Sequence, residues 1–430
     1  MKKIERPAIN PTFFYGPILS YEFNGGITKD KGKYRFRFTL FFKSGDVYKT
    51  QKSGYRTYGE AEKAKELVIA DLVRNEYIPF EYTVKEFFDY WLYHHMIVEK
   101  EIAYGTYQNY RNILYRYLLP SLKAERKLSQ VTIEDLEKAL RKIEFPRVKD
   151  SGVKLTLQVF TFAREHNYIT FNPSIAAVEH VKREIRPQKP RKVVPYTIEQ
   201  IKLLLYICKR DFPDMYFPLL LSLTLGSRIS ETLALKYSDI DFSTETIYIR
   251  IQLGRDINDE SEEDLMTKPV KTKTKRSVRS VPVPWWVLDE IIVRRAWYEK
   301  QKEWNPYFSD LGYICCHSNG KPFHRGNFGK DFQKLICMCG LRQIVWHDLR
   351  HIYSSVLKNN SVNMKAISEF LGHYSPEFTE EVYVYQEEEA HDCFILEEVW
   401  ESCRPKTEEK EGPEELFIPF SDEDYHFLLA

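Results

Sequence analysis

The segment VWHDLRHIYSSVLKNN, residues 345–360, carries three basic or titratable side chains on one face of a predicted helix. His347, Arg350 and His351 have the spacing i, i+3 and i+4, which places them side by side on an α-helix. Cationic groups on one face repel one another unless an anion lies among them. The pattern therefore predicts an anion-binding site.

Three other segments carry residues that fit such a site. LTLGSRISETLALKYSDIDF contains Arg228 followed by Glu231, and KPVKTKTKRSVRSVPVP is a lysine-rich hairpin pattern that contains Lys273. FLGHYSPEFTEEVYVYQ contains His373 and, ten residues later, Tyr383. Taken singly, these patterns are more typical of a surface ion pair, an exposed turn or a helix end.

Together and in this order, the four segments resemble the tyrosine recombinase (phage integrase) family, in particular integrases of conjugative transposons and temperate phages. The catalytic domain of that family presents an Arg box, a hairpin Lys, a His-x-x-Arg-His box, a Leu-Gly-His box and then the nucleophilic Tyr. The resemblance covers residues from about 197 to 400. It implies these catalytic residues, with Tyr383 as the nucleophile: Arg228, Lys273, His347, Arg350, His373 and Tyr383. It gives supporting roles to Glu231, Asp239 and His351.

The expected chemistry explains these residue types. Arg228 and Arg350 can fork planar N–H groups onto the nonbridging oxygens of a DNA phosphate. A tyrosine with a pKa of about 10 needs nearby cations to favour its phenolate. By the family's pattern, Lys273 protonates the leaving 5′ oxygen, while His347 and His373 position the phosphate or share in proton transfer. A 3′-phosphotyrosyl ester keeps the bond energy, so we expect no ATP, metal or other cofactor.

Two assignments stay open, and one segment departs from the family's pattern. Lys271 and Lys275 flank Lys273, and only the alignment of KTKRSVRSVPVP with the family's hairpin favours the middle lysine. Tyr385 follows Tyr383 by two residues, where the family commonly has His. GRDINDESEEDLM, residues 254–266, is an acidic excursion, and we expect it to loop away from DNA.

The charge is distributed unevenly along the chain. Residues 371–430 contain 18 Asp and Glu against 3 Lys and Arg, while residues 1–370 contain 60 Lys and Arg against 44 Asp and Glu. A basic body is typical of a protein that binds a polyanion, although a solvated acidic tail on an ordinary surface explains the charge equally well. In the family the segment after the Tyr docks onto a neighbouring protomer. We expect part of this tail to do so, and its acids to screen the DNA-binding face.

The periodicity and the resemblance together predict a multidomain α+β fold. It comprises a small amino-terminal β-sheet plus helix (1–80, arm-type DNA-binding), an all-α core-binding domain (81–185), a basic linker (186–196), a mixed, mainly helical catalytic domain with a small antiparallel sheet (197–400) and an acidic tail (401–430). In KYRFRFTLFF, basic side chains alternate with apolar ones, which is typical of a DNA-reading β-ribbon and, more often, of a protected edge sheet. The predicted DNA-binding residues are Lys33, Arg35, Arg37, Lys182, Arg183, Arg191 and Lys192.

Local patterns predict further elements of these domains. Thr132 with Asp135 and Thr197 with Gln200 resemble the capping patterns at helix amino termini. TIYIRIQL and RSVRSVPVP are typical of strands in the catalytic domain.

Several classes of protein are disfavoured. No stretch approaches the roughly 20 apolar residues that span a bilayer, and the amino terminus has no apolar signal region. Seven cysteines without CxxC spacing indicate reduced thiols in the cytoplasm. The residues that merit consideration as zinc ligands lack common structural spacing: Cys315, Cys316, His317, Cys337 and Cys339.

The resemblance implies a site-specific recombinase that integrates or excises a mobile element at double-stranded DNA attachment sites. It further implies a homotetramer that exchanges strands through a Holliday junction, with DNA-bending or directionality factors as further partners. An invertase or resolvase, a type IB topoisomerase and a non-catalytic DNA-binding descendant are the alternatives with related motifs. A metal-dependent transposase could use Asp239 and Asp241, but it would leave the Arg, Lys, His and Tyr boxes unexplained.

Overall fold

The computed structural model describes residues 4, 6–184, 194–255, 257, 268–271, 277–372 and 400–404. The chain divides into two compact units, Ile4–Lys189 and Pro190–Ala430, which we call the amino-terminal and carboxyl-terminal units. Within the described ranges, every helix is too short or too polar to cross a bilayer. The finer division at residues 80, 185 and 400 stays a prediction.

The amino-terminal unit begins with an antiparallel sheet in which the third strand pairs with the three others. The strands are β1 (Ile18–Phe23), β2 (Thr28–Asp30), β3 (Lys33–Phe42) and β4 (Val47–Tyr55), followed by helix α1 (Tyr58–Val73). Phe36, Phe38 and Leu40 of β3 are buried and pack in one core with Val68 and Leu72 of α1. The predicted alternation of β3 is thus confirmed: its apolar face meets the helix, and its basic face lies opposite.

The rest of this unit is helical. Its helices are α2 (Val84–Asp89), α3 (Tyr104–Arg111), α4 (Leu119–Leu122), α5 (Ile133–Arg141), α6 (Pro146–Glu165) and α7 (Ser174–Glu184), with π-helical turns over Tyr90–Glu99 and Asn112–Leu118. The predicted cap of α5 is present, since the Thr132 hydroxyl accepts from the Asp135 N–H and the Asp135 carboxylate accepts from the Thr132 N–H. Trp91, Leu114 and Phe160 are fully buried between the helices.

The carboxyl-terminal unit is mainly helical with two small sheets. Its helices are α8 (Ile198–Asp211), α9 (Pro213–Leu225), α10 (Ile229–Thr232), α11 (Trp285–Trp304), α12 (Phe328–Met338), α13 (Asp348–Asn359) and α14 (Met364–Leu371). Its strands are β5 (Ile240–Asp241), β6 (Thr246–Ile249), β7 (Ile251–Gly254), β8 (Lys268–Lys271) and β9 (Arg279–Pro282). Strands β5, β6 and β9 form one antiparallel sheet, and β7 and β8 form the other.

One predicted strand of this unit is divided. TIYIRIQL reads as a single strand, but β6 pairs with β9 and β7 pairs with β8. The break falls at Arg250, whose guanidinium lies 3.3 Å from the carboxylate of Asp239. The cap predicted for α8 is present between Thr197 and Gln200. The predicted fold class is confirmed, and the division carries β7 and β8 away from the first sheet.

Candidate active site

The Arg box begins where helix α9 stops. Gly226 has a left-handed backbone with a φ of 58°. A Cβ atom there would lie 2.4 Å from Cδ1 of Tyr353 and 2.9 Å from Cδ2 of Leu371, so both the conformation and the space require glycine. The turn at Gly226 and Ser227 brings Arg228 to the amino-terminal end of α10.

Arg228 and Glu231 form the first ion pair of the site. The Arg228 backbone N–H donates to Oε2 of Glu231 at 3.0 Å, and Nη1 of Arg228 donates to Oε1 at 2.8 Å. The Glu231 side chain is 2% exposed, whereas that of Arg228 is 39% exposed. The Glu231 carboxylate therefore holds Nη1 of Arg228, while the exposed part of the guanidinium can bind a ligand.

Arg350 lies deeper and joins three segments of the chain. It belongs to α13 and is 4% exposed; its Nη1 donates to the carbonyl of Gly226 at 2.8 Å, and its Nη2 donates to the carbonyl of Leu371 at 2.5 Å. Burial, with Arg228 and a second cation, Arg279, nearby, lowers the pKa of Arg350 to about 9. The guanidinium is thus still charged at neutral pH, but in surroundings that favour an added anion.

The two histidines of the opening segment lie beside this arginine. Their ring centroids are 5.6 Å apart, as the i, i+4 spacing predicts. Partial burial, followed by the charges of His351, Arg350 and Arg228, lowers the pKa of His347 below its usual value. Burial also lowers the pKa of His351. Both imidazoles are mainly neutral at pH 7, so His347 can accept a proton there.

Arg279 belongs to the site and was missed by the sequence analysis. Its side chain is 5% exposed, and its Nη2 donates to Oε2 of Glu231 at 2.9 Å. The strand alternation contained a signal for this residue. Arg279 lies two residues before Val281, which is buried in the core, so both side chains point to the inward face of the strand. An arginine on the inward face of a strand requires a buried partner, and Glu231 is that partner.

A chain of buried hydroxyl groups provides a second link between the boxes. The indole N–H of Trp346 donates to Oγ of Ser222 at 3.1 Å, and Ser222 lies 3.1 Å from Oγ1 of Thr232. Thr232 in turn donates to the Arg228 carbonyl at 3.2 Å. The residue before His347 is thereby tied to the Arg box. Single Ser and Thr residues in apolar helices carry no sequence signal for this role.

Asp239 lies in the turn that follows the Arg box. Its Oδ2 accepts from the Lys236 backbone N–H at 3.0 Å. Its contact with Arg250 marks the break between β6 and β7. Asp241 accepts from the Ser243 hydroxyl at 2.6 Å in the next turn. We therefore keep the supporting role of Asp239 as a proposal, located at this turn.

The basic face of the amino-terminal sheet contrasts with this arrangement. Lys33 and Arg37 are exposed on β3, and Arg35 forms an ion pair with Asp30 at 2.8 Å. Lys182 and Arg183 are exposed on α7. Five predicted site residues, with the alternatives Lys275 and Tyr385, lie outside the described residues: Lys273, His373, Tyr383, Arg191 and Lys192. So do most of the acidic excursion and the tail beyond residue 404.

The described part of the site has a clear chemical preference. Arg228 and Arg279 each form an ion pair with the buried carboxylate of Glu231, and the guanidinium of Arg350 lies close enough to be affected by all three charges. The excess positive charge and the planar donors fit a phosphate group. Within the described ranges, no group of three His, Cys, Asp or Glu side chains is placed to hold a metal ion.

Comparison with known proteins gives the class. Residues 196–390 match the Phage integrase family. A "Tyrosine recombinase XerC-like" protein of Caldanaerobacter subterraneus subsp. tengcongensis is 24% identical over 374 residues, which cover 82% of this chain and 93% of that protein. The "Integrase" of Staphylococcus phage L54a is 25% identical over 247 residues, 54% of this chain and 67% of that protein.

A solved structure shows the same fold. It is the Tn1549 transposon integrase in complex with transposon right end DNA, with a TM-score of 0.57, 19% identity, and coverage of 74% of this chain and 98% of that chain. The family match over residues 196–390 and the relatives support a tyrosine recombinase of the integrase type, and they confirm the resemblance drawn from the four motifs.

Proposed function

We propose that this enzyme is a site-specific DNA recombinase that cleaves and rejoins DNA through a covalent 3′-phosphotyrosine intermediate and thereby integrates or excises a mobile element. One observation carries the proposal: among the described residues, the neighbouring guanidinium groups of Arg228, Arg279 and Arg350 share one paired carboxylate, that of Glu231. A DNA phosphodiester supplies both the negative charge and the two nonbridging oxygens that the N–H donors of Arg228 and Arg350 can bind.

In the proposed cleavage step, Arg228 and Arg350 bind the nonbridging oxygens and stabilise the charge that builds on them. The hydroxyl of Tyr383 gives its proton to solvent or to neutral His347, and its oxygen bonds to phosphorus. The bond from phosphorus to the 5′ oxygen breaks, and Lys273 gives its proton to that oxygen. His373 helps to position the phosphate. The reverse reaction, with an incoming 5′ hydroxyl, rejoins the strand and requires no ATP, metal or other cofactor.

Assembly on DNA completes the proposal. The basic face of the amino-terminal sheet, with Lys33, Arg35 and Arg37, binds arm-type sites, and the helical segment together with the 186–196 linker follows the core site. Four protomers exchange strands in pairs through a Holliday junction, with DNA-bending or directionality factors as further partners. The acidic tail docks onto a neighbouring protomer. Because its substrate is DNA and its thiols are reduced, the enzyme works in the cytoplasm.

The chemistry can be tested with a nicked duplex that carries the ends of the mobile element beside the gene in its host. Loss of the short strand after cleavage traps the covalent intermediate. We expect a protein–DNA adduct on denaturing gels from the wild type and from Tyr385→Phe, in the presence of EDTA. We expect none from Tyr383→Phe, with DNA binding retained in all three proteins. An adduct that forms with Tyr383→Phe and disappears with Tyr385→Phe would reverse the assignment.

The same experiment separates the alternatives. A metal-dependent transposase would lose strand transfer in EDTA. A non-catalytic descendant would bind footprinted ends without forming an adduct, even when its tail is removed and host extract is added. An invertase or resolvase would form the adduct but recombine only paired sites on one molecule.

A further inference from the structure

The geometry points to Arg279 as a positioning residue that ties the residues after the lysine segment, from Ser277 onward, to the Arg box and to helix α14. This inference rests on the proposed function, because it concerns the placement of the proposed general acid. It adds a further arginine to the Arg, Lys and His set implied by the family motifs. Arg279 is not proposed to touch DNA.

All three nitrogens of the Arg279 guanidinium are engaged, each with a different segment. Nη2 donates to Oε2 of Glu231 at 2.9 Å, Nε donates to the carbonyl of Phe370 at 2.5 Å, and Nη1 donates to the carbonyl of Ser277 at 3.0 Å. Glu231 belongs to the Arg box, and Phe370 lies in α14, three residues before His373. The Arg279 side chain therefore connects the Arg box, the end of α14 and Ser277, which precedes β9.

Arg279 lies where the chain passes from the lysine segment into strand β9. It is the first residue of β9, where it pairs with Ile249 of β6, and the candidate lysines 271–275 precede it. The ladder of β6 and β9 fixes the backbone from this residue onward. Its bond to the Ser277 carbonyl extends that order two residues back, toward the lysines. The placement of residues 277–279, which directly follow the lysine segment, thus depends on this side chain.

The charges support the same role. Burial would raise the pKa of Glu231, but Arg279 and, after it, Arg228 together outweigh burial and lower the pKa. Glu231 is thus held as a carboxylate that shares its two oxygens, Oε1 with Arg228 and Oε2 with Arg279. Without Arg279, Oε2 would keep only the backbone N–H of Arg228, and a buried carboxylate would lose half of its countercharge.

Lysine cannot replace this guanidinium. Three acceptors in three segments require planar donors that diverge from one carbon atom, which an ammonium group does not provide. Arg279→Lys therefore keeps the charge and a long side chain but removes two of the three links. It is a sharper test than truncation because it leaves a cation near Glu231.

The test compares two leaving groups in single-turnover cleavage of the nicked duplex. With the normal 5′ oxygen, the step needs a proton from Lys273. With sulfur at the 5′ bridging position, the leaving thiol has a pKa of about 8.5, so it departs as a thiolate without that proton. We expect Arg279→Lys to slow cleavage of the oxygen substrate about 100-fold and of the sulfur substrate less than fivefold. Equal slowing of both substrates, or no slowing of either, would overturn the proposal.

Arg294→Lys is the matched control. The Arg294 guanidinium also donates to two backbone carbonyls, those of Ile314 and Cys316, but these lie in another part of the unit. We expect this variant to leave the ratio of the two cleavage rates unchanged.

Hydrogen exchange separates this inference from the proposed function, since it needs no catalysis. In the full chain without DNA, we expect the amides of residues 277–281 to exchange at least tenfold faster in Arg279→Lys than in the wild type. If the variant exchanges faster and the wild type forms no adduct with DNA, the proposed function is refuted but the positioning role of Arg279 is retained. Unchanged exchange would refute the anchor, whatever the wild type does to DNA.

Discussion

Arginines on the two units of this protein differ in almost every physical respect. On β3 of the amino-terminal unit, Arg37 is exposed and makes one long hydrogen bond, at 3.4 Å, to Gln51. In the carboxyl-terminal unit, Arg350 and Arg279 are buried and bonded to backbone carbonyls from separate segments. The same residue type thus occurs once as a solvated charge and once as a fixed donor.

The difference shows what each region requires of its cations. Affinity for DNA requires positive charge near the phosphate backbone. Release of counterions then supplies free energy of binding, whatever the exact geometry of the contacts. Stabilising charge that appears only during a reaction needs donors that are already in place. Burial is unfavourable for a guanidinium, so the site provides it with carbonyls and with Glu231.

The largest expected effect separates the two regions by function. We expect Arg350→Gln to slow single-turnover cleavage by about 10³-fold, because it removes fixed donors at the phosphate. Arg37→Gln, made as its counterpart, should leave cleavage at saturating DNA unchanged. Similar losses of cleavage from both substitutions would remove the distinction between the regions.

The next effect concerns how the buried arginines are held. We expect Gly226→Ala to destabilise the carboxyl-terminal unit by about 3 kcal/mol, because its Cβ would overlap the ring of Tyr353 in a backbone conformation that favours glycine. Urea unfolding followed by tryptophan fluorescence measures this, since six of the seven tryptophans belong to this unit.

Gly312→Ala is the control for backbone strain alone. Gly312 has a φ of 70°, and a Cβ there would meet nothing within 4 Å. We expect a cost of about 1 kcal/mol. If both substitutions cost the same, close packing against Tyr353 is not what fixes the turn before Arg228.

A smaller effect probes the exposed cations. We expect Lys33→Gln with Arg37→Gln to reduce the slope of log K against log salt concentration by about 2 in binding to arm-type DNA, near one unit for each lost phosphate contact. Lys63→Gln, on the exposed surface of α1, should not change that slope. An unchanged slope in the double variant would show that the basic face of β3 is an edge protected by charge and not a DNA-binding surface.

The smallest effect is on pH dependence. The folded state lowers the pKa of His347 and His351, so below pH 6.5 the unfolded chain binds more protons than the folded chain. Without DNA, we expect stability to fall as the pH drops through 6.5. His347→Gln should reduce this slope, as measured by urea unfolding across that pH range. An unchanged slope would contradict the lowered pKa of His347.

Periodicity and motif spacing predicted much of this molecule. The alternation of β3, the caps at Thr132 and Thr197, and the mixed class of the carboxyl-terminal unit are present as expected. These features depend on local geometry, which a short stretch of sequence contains. The motif order also predicted the family correctly, since each box carries its own chemistry.

The remaining features depend on contacts between distant segments. The division of TIYIRIQL at Arg250 follows from pairing with two different strands, and no local pattern specifies it. The carbonyl bonds of Arg350 join residues 124 and 21 positions away along the chain. Arg279 was overlooked because the lysines beside it provide the expected chemistry, although the parity of β9 marks it as inward.

Peptide mapping of the trapped adduct tests the central claim most directly. The wild-type adduct, formed in EDTA on a nicked duplex and digested with protease and nuclease, should give one modified peptide. Mass spectrometry should place a nucleotide, linked through its 3′ phosphate, on Tyr383. A nucleotide on another residue, a 5′ linkage, or no adduct on ends that footprinting shows to be occupied would contradict the account.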